Sequence, residues 1–95
     1  MVAYLISEID VTDSTAYEPY KKAASESIAK HGGKYVVRGG KSIALEGAAP
    51  KRIIVLEFPS MEAAQAFHQS PDYQAAIPLR KKAAANSRLF IVEGQ

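Results

Sequence analysis

Ninety-five residues, 47% of them hydrophobic and 23% charged, suit one globular domain and exclude a disordered or membrane-embedded chain. The net charge is only +2, with acids interleaved among bases, so the single-sign field that draws nucleic acid or anionic lipid is missing. The absence of cysteine excludes a disulfide scaffold, a thiolate nucleophile and a cysteine-ligated metal.

The chain opens at Val2 on a strand-like pattern, VAYLISEIDV (2–11), dense in β-branched and aliphatic residues on both faces. It has no basic start or apolar leader, and no run long enough to span a bilayer, so a cytoplasmic location and no membrane partner are expected. Asp13, Ser14 and Thr15 offer capping oxygens, and a first helix is predicted to begin between Asp13 and Tyr17. At 100° per residue Ala16, Tyr17, Tyr20, Ala23, Ala24 and Ile28 gather on its apolar face. Gly32 and Gly33 end it. A second strand runs from Lys34 into Arg38-Gly39-Gly40, where the paired glycines mark either a bulge inside one long bent strand, the favoured reading, or a tight reversal. Gly47 to Pro50 turns the chain into a third strand, Arg52 to Phe58. A short helix follows over Met61 to Gln69, and Ser70-Pro71-Asp72 starts another that reaches about Ala85, kinked at Pro78. The last strand is Arg88 to Glu93.

Strand, helix, strand, strand, helices, strand is the order of an α+β, ferredoxin-like domain filling residues 1–95, a four-stranded antiparallel sheet with helices on one face. The strands are apolar on both sides, so the second face needs a cover. A second copy of the sheet is the simplest one, giving a homodimer with a barrel-like core.

The segments RGGKSIALEG, RIIVLEFPSMEAAQAF, SPDYQ, PLR and a terminal VEG, taken in order, resemble the bacterial DUF1330 family, a domain of unknown function within the dimeric α/β-barrel superfamily. The resemblance covers nearly the whole chain and implies a ferredoxin-like subunit, a dimer and no established activity. Other members of the superfamily include cofactor-independent monooxygenases, muconolactone isomerases and stress-response barrel proteins, an analogy of fold and not of reaction.

Polar residues on apolar faces mark the candidate site. Arg38 and Glu57 stand inside strand runs, where an ionised group needs a partner or a task. Tyr73, Ile77, Arg80 and Ala84 share one helical stripe, so Arg80 aims at the sheet. His31 ends the buried face of the first helix. These residues are expected to converge between sheet and helices, with Arg38, Tyr73 and Arg80 gripping a small organic acid and Glu57 or His31 moving a proton. The bland alternatives are a buried ion pair from Glu57 to Arg38 or Arg80, a helix-end role for His31, and core anchoring for Tyr73, Tyr17 and Tyr20. Strand parity leaves open which face carries Glu57, and so whether the site lies in the cleft or at the dimer seam. Glu46 and Arg52 read as a rim salt bridge, and Ser7 as a minor pocket candidate.

His31 and His68 have no second ligand at helical spacing, and Gly39-Gly40 lacks both the phosphate-loop and dinucleotide patterns, so neither metal nor cofactor is called. Two functions remain: a homodimer binding a small organic anion, with cofactor-free acid–base chemistry as its extension, or a non-catalytic ligand sensor or structural dimer module.

Overall fold

In the computed structural model, which describes residues 1–95, the first strand, β1 (Ala3–Val11), alternates. Ala3, Leu5, Ser7 and Ile9 are buried, while Tyr4, Ile6, Glu8 and Asp10 are partly open. The period of two places the first set against the helices and the second on the opposite face. Helix α1 (Ser14–Lys30) starts where Asp13 accepts a hydrogen bond from the Ala16 amide at 3.0 Å, within the predicted window. It buries Tyr17, Tyr20, Ala24, Ser27 and Ile28, close to the face read from the sequence. The chain then leaves through Gly32 at φ 78°.

Strand β2 (Lys34–Arg38) is shorter than expected. The predicted long bent strand does not form. The register shift falls between Tyr35 and Val37, and Gly39, at φ 67°, turns the chain off the ladder after its amide bonds the Ile53 carbonyl at 2.9 Å. Residues 40–50 adopt neither strand nor helix. Strand β3 (Arg52–Phe58) follows, then α2 (Met61–Gln69) and α3 (Pro71–Ala83), capped by Ser60 and Ser70. Pro78 lies inside α3 without ending it.

Strand β4 (Ala84–Glu93) begins earlier than the sequence indicated. Alanines 84 and 85 have high helix propensity, but Val11 and Asp10 recruit them into the ladder, so tertiary pairing overrides propensity. Asn86, at φ 55°, lies where that ladder slips register between Glu8 and Asp10. At the junction the Ala83 carbonyl accepts from the Thr12 amide at 2.9 Å, the Asp13 amide at 3.1 Å and the Thr12 hydroxyl at 3.1 Å.

The strands form one antiparallel sheet in the order β2-β3-β1-β4, with Leu5 opposite both Leu56 and Ile91. This is the ferredoxin-like arrangement, with all three helices against one face. The core holds an aromatic row: ring centroids lie 5.3 Å apart for Phe58–Phe67, 4.6 Å for Phe67–Tyr73 and 6.3 Å for Tyr73–Tyr20. Such spacings keep the rings in contact from the end of β3 across α2 and α3 to α1. The opposite sheet face carries Ile6, Val37, Val55, Phe90 and Val92, with Phe90 39% and Val92 46% exposed. No helix is long and apolar enough to cross a membrane.

Candidate functional site

Between α1 and the helix-facing side of the sheet lies a cavity of about 40 Å³, lined by 16 residues of which 12 are hydrophobic. The alternation of β1 and β3 supplies its floor, through Leu5, Ser7, Ile54 and Leu56. The Tyr17, Tyr20 and Ala24 face of α1 supplies its roof.

Tyr20 and Tyr73 line this cavity, and Arg80 stands behind them without lining it. Tyr73 and Arg80, seven residues apart on α3, lie on the same helical stripe, and the Arg80 Nη1 donates to the Tyr73 hydroxyl at 2.8 Å. The Tyr73 hydroxyl in turn meets that of Tyr20 at 2.9 Å. Arg80 is only 7% exposed, and its Nε has no partner. The chain's ion pairs are Lys21–Glu18, His31–Asp72, Lys34–Glu57 and Arg88–Glu8, so no carboxylate compensates Arg80. A guanidinium only donates, so the Tyr73 oxygen accepts. The two hydroxyls own two hydrogens and spend one on each other, which leaves one donor for a ligand in whichever direction their bond runs.

Burial, reinforced by the neighbouring Tyr73, pushes the Tyr20 hydroxyl well above its ordinary pKa, against a smaller opposite pull from Arg80. Tyr17 is raised too, by burial first and Tyr20 second, with Arg52 opposing. Both tyrosines are therefore neutral hydrogen-bond donors at neutral pH rather than phenolate bases. On the cavity floor the buried Ser7 Oγ has no hydrogen-bond partner, which makes this residue a second free polar group in an otherwise apolar space.

Arg38 and Arg52 also line the cavity, at its open edge beside Lys21. The Arg38 guanidinium sits 4.2 Å from the Tyr35 ring centroid and donates to the Ser25 Oγ at 3.1 Å. Arg52 lies 5.7 Å from the Tyr17 ring centroid. The rim pair expected between Arg52 and Glu46 does not form, because Arg52 shares the helix-facing parity of Ile54 and Leu56.

Of the five residues expected to converge, Tyr73 and Arg80 are joined and Arg38 edges the same cavity. Glu57 and His31 lie elsewhere. Glu57 stands opposite Tyr4 and Lys34 on the other sheet face, 3.3 Å from the Lys34 Nζ, because β3 alternation puts it on the side of Val55. Neither buried pairing of Glu57 with an arginine forms. His31 donates from Nδ1 to the Ser27 carbonyl at 2.8 Å at the end of α1, with Asp72 at 3.9 Å and the Phe67 ring edge-on at 6.0 Å. His31 and His68 do not gather with acids into a three-ligand cluster.

Sequence reasoning gave too little weight to Tyr20 and Arg52. The signals were present: Tyr20 belongs to the predicted buried face of α1, and Arg52 shares strand parity with the core residues Leu56 and Phe58.

Comparison with known proteins places this geometry in context. A sequence profile described as "Domain of unknown function (DUF1330)" matches residues 2–95. No curated protein matches the sequence. Among solved structures, the chain is similar to the RPA0582 protein of unknown function from Rhodopseudomonas palustris, with a TM-score of 0.81 at 20% identity, covering 99% of this chain and 82% of that one. It is similar to SnoaB, a cofactor-independent oxygenase from Streptomyces nogalater, with a TM-score of 0.71 at 8% identity over 99% and 93% of the two chains. A dimeric protein of unknown function and ferredoxin-like fold from Bacteroides fragilis gives a TM-score of 0.67 at 14% identity over 98% and 96%. At these identities the likeness is one of fold.

Proposed function

The chain belongs to the DUF1330 family, and from the geometry of its cavity we propose that it binds a small organic anion between sheet and α1, as a homodimer joined through the bare sheet faces. The observation that carries the binding reading is Arg80. A buried guanidinium without a carboxylate, tied to a tyrosine pair that retains one free donor, is costly unless a negative or strongly polar oxygen completes the chain. An enolate, carboxylate or polarised carbonyl oxygen at the Tyr20–Tyr73 pair would do so, in the manner of a preorganised oxyanion site.

The size of the cavity narrows the ligand. Its volume of about 40 Å³ compares with the roughly 150 Å³ of an apolar cavity that accepts benzene. The enclosed part of the ligand is therefore a few heavy atoms, a short aliphatic tail and not an aromatic ring.

No carboxylate or imidazole lines the cavity, since Glu57 and His31 lie outside it. That favours binding and polarisation of a carbonyl over proton abstraction by a side chain. A non-catalytic sensor is consequently the companion reading to a cofactor-free oxygenase-like role, which SnoaB suggests by likeness of fold. The dimer rests on the uncovered apolar face, framed by the Lys34–Glu57 and Arg88–Glu8 pairs, and on the dimeric Bacteroides fragilis protein.

Amide chemical-shift mapping with the short oxo acid levulinate tests the binding reading. Shifts clustered at Leu5, Ser7, Tyr20 and Tyr73, and weakened in Tyr73→Phe, support it. A millimolar titration that leaves those amides unmoved defeats it.

A further inference from the structure

Two cations at the open edge of the cavity have no carboxylate partner. Arg38 stands opposite Ile54 in the β2–β3 ladder, and Arg52 precedes Ile54 by two residues on β3. The two arginines are thus diagonal neighbours on the helix-facing side of the sheet, at a backbone separation of about 7–8 Å. Neither belongs to an ion pair. Like charges this close repel, and an anion between them would relieve the repulsion.

The surroundings do not supply that anion. The groove outside the cavity is lined by Glu18, Lys21, Lys22, Ser25, Glu26 and the two arginines. Of its two acids, Glu18 is taken by Lys21 at 3.0 Å, and Glu26 pairs with neither arginine. Contacts with Tyr35 and Tyr17 account for where the two guanidiniums rest. They leave the Arg52 Nε buried and without a hydrogen-bond acceptor.

The backbone is also shaped for this placement. Gly39 adopts φ 67°, which favours glycine, and the Arg52 guanidinium rests in the space that a Cβ there would take, so a side chain at this position would displace it.

We infer that Arg38 and Arg52 form a carboxylate subsite at the mouth of the cavity, so that the ligand is a short amphipathic acid. Its carboxylate bridges the two guanidiniums, and its apolar stem enters the cavity. An oxo or enol oxygen at its far end takes the free hydrogen of the Tyr20–Tyr73 pair. This assignment rests on the cavity-binding reading above and specifies the chemical class of its ligand. Guanidiniums match carboxylates in bidentate geometry, which is why arginine suits this edge better than the neighbouring lysines.

Levulinate and its uncharged isostere levulinamide separate the subsite from the cavity. Titration of both against wild type, Arg38→Gln, Arg52→Gln and Tyr73→Phe, followed by amide shifts, gives four comparisons. Wild type is expected to prefer levulinate by about tenfold or more, the value of a charge-assisted hydrogen bond. Each arginine variant removes that preference by weakening levulinate far more than levulinamide, whereas Tyr73→Phe weakens both probes. Rising ionic strength weakens levulinate alone in the wild type, a readout that needs no variant to fold. If levulinate and levulinamide bind equally, or if the preference survives both arginine variants, the mouth subsite is overturned while the cavity reading stands. If neither probe moves the cavity amides, the cavity reading and the subsite fall together.

Discussion

The hydroxyls of Tyr20 and Tyr73, on α1 and α3 and 53 positions apart in sequence, meet at 2.9 Å in the interior. That contact joins the two helices and holds the acceptor of the Arg80 guanidinium in place. Tyr73→Phe strips the hydroxyl from the middle of the chain and should lower stability by about 1–3 kcal/mol in urea unfolding, since it leaves a buried charged donor unmatched. Tyr20→Phe should cost less, because Tyr73 keeps Arg80. A double-mutant cycle should show coupling of about 0.5 kcal/mol or more, and strict additivity would mean the two hydroxyls act independently.

Arg80→Met exchanges an uncompensated buried cation for an apolar chain of similar length. The lost bond to Tyr73 is offset by removal of the desolvation penalty, so unfolding free energy should stay within about 1 kcal/mol of wild type. Levulinate binding should nevertheless weaken. A large loss of stability with unchanged binding would assign Arg80 a purely structural role.

The tyrosines set the alkaline limit. Tyr20 and Tyr17 have folded pKa values raised above the ordinary 10.0, with burial as the leading cause. A raised value means the unfolded chain loses these protons first. Their contribution is complete below pH about 10 and declines as pH rises beyond it. Tyrosine absorbance titration should show ionisation of these two residues coinciding with loss of the folded circular dichroism signal. Free ionisation in a still-folded chain would contradict the burial.

On the bare sheet face Phe90 is 39% exposed in a single chain and opposite Ile6. Phe90→Asp should convert the proposed dimer to monomer in sedimentation velocity while preserving the monomer's fold, because the side chain does not belong to the core. An unchanged sedimentation coefficient would remove the sheet face as the seam.

Gly39→Ala forces a Cβ onto a left-handed residue and into the Arg52 guanidinium. A destabilisation of about 1 kcal/mol or more is expected by thermal or urea unfolding. Gly40→Ala, where an added Cβ meets nothing, should be close to neutral.

Much of this architecture could be read from the chain because its signals are local. Asp13, Ser60 and Ser70 cap helices, alternation marks β1 and β3, and the seven-residue spacing of Tyr73 and Arg80 defines a stripe. Where reading failed, the deciding interaction was distant. Ala84 and Ala85 look helical until Val11 and Asp10 pair with them, and the fate of Glu57 depends on a parity that only the sheet register fixes. Tyr20 resembles any core tyrosine until α3 brings Tyr73 beside it. Ser7 was visible as a polar break in an apolar strand, though its unsatisfied hydroxyl emerges only from the packing.

The triple acceptor role of the Ala83 carbonyl has a mechanical corollary. It rivets the end of α3 to the loop after β1, with β4 continuing from the same point, so any outward swing of the helix bearing Arg80 would have to break these bonds at a sheet edge. The opposite jamb, where α1 meets the end of a five-residue strand, has no such rivet, and a guest entering there would arrive carboxylate last under the proposed binding mode.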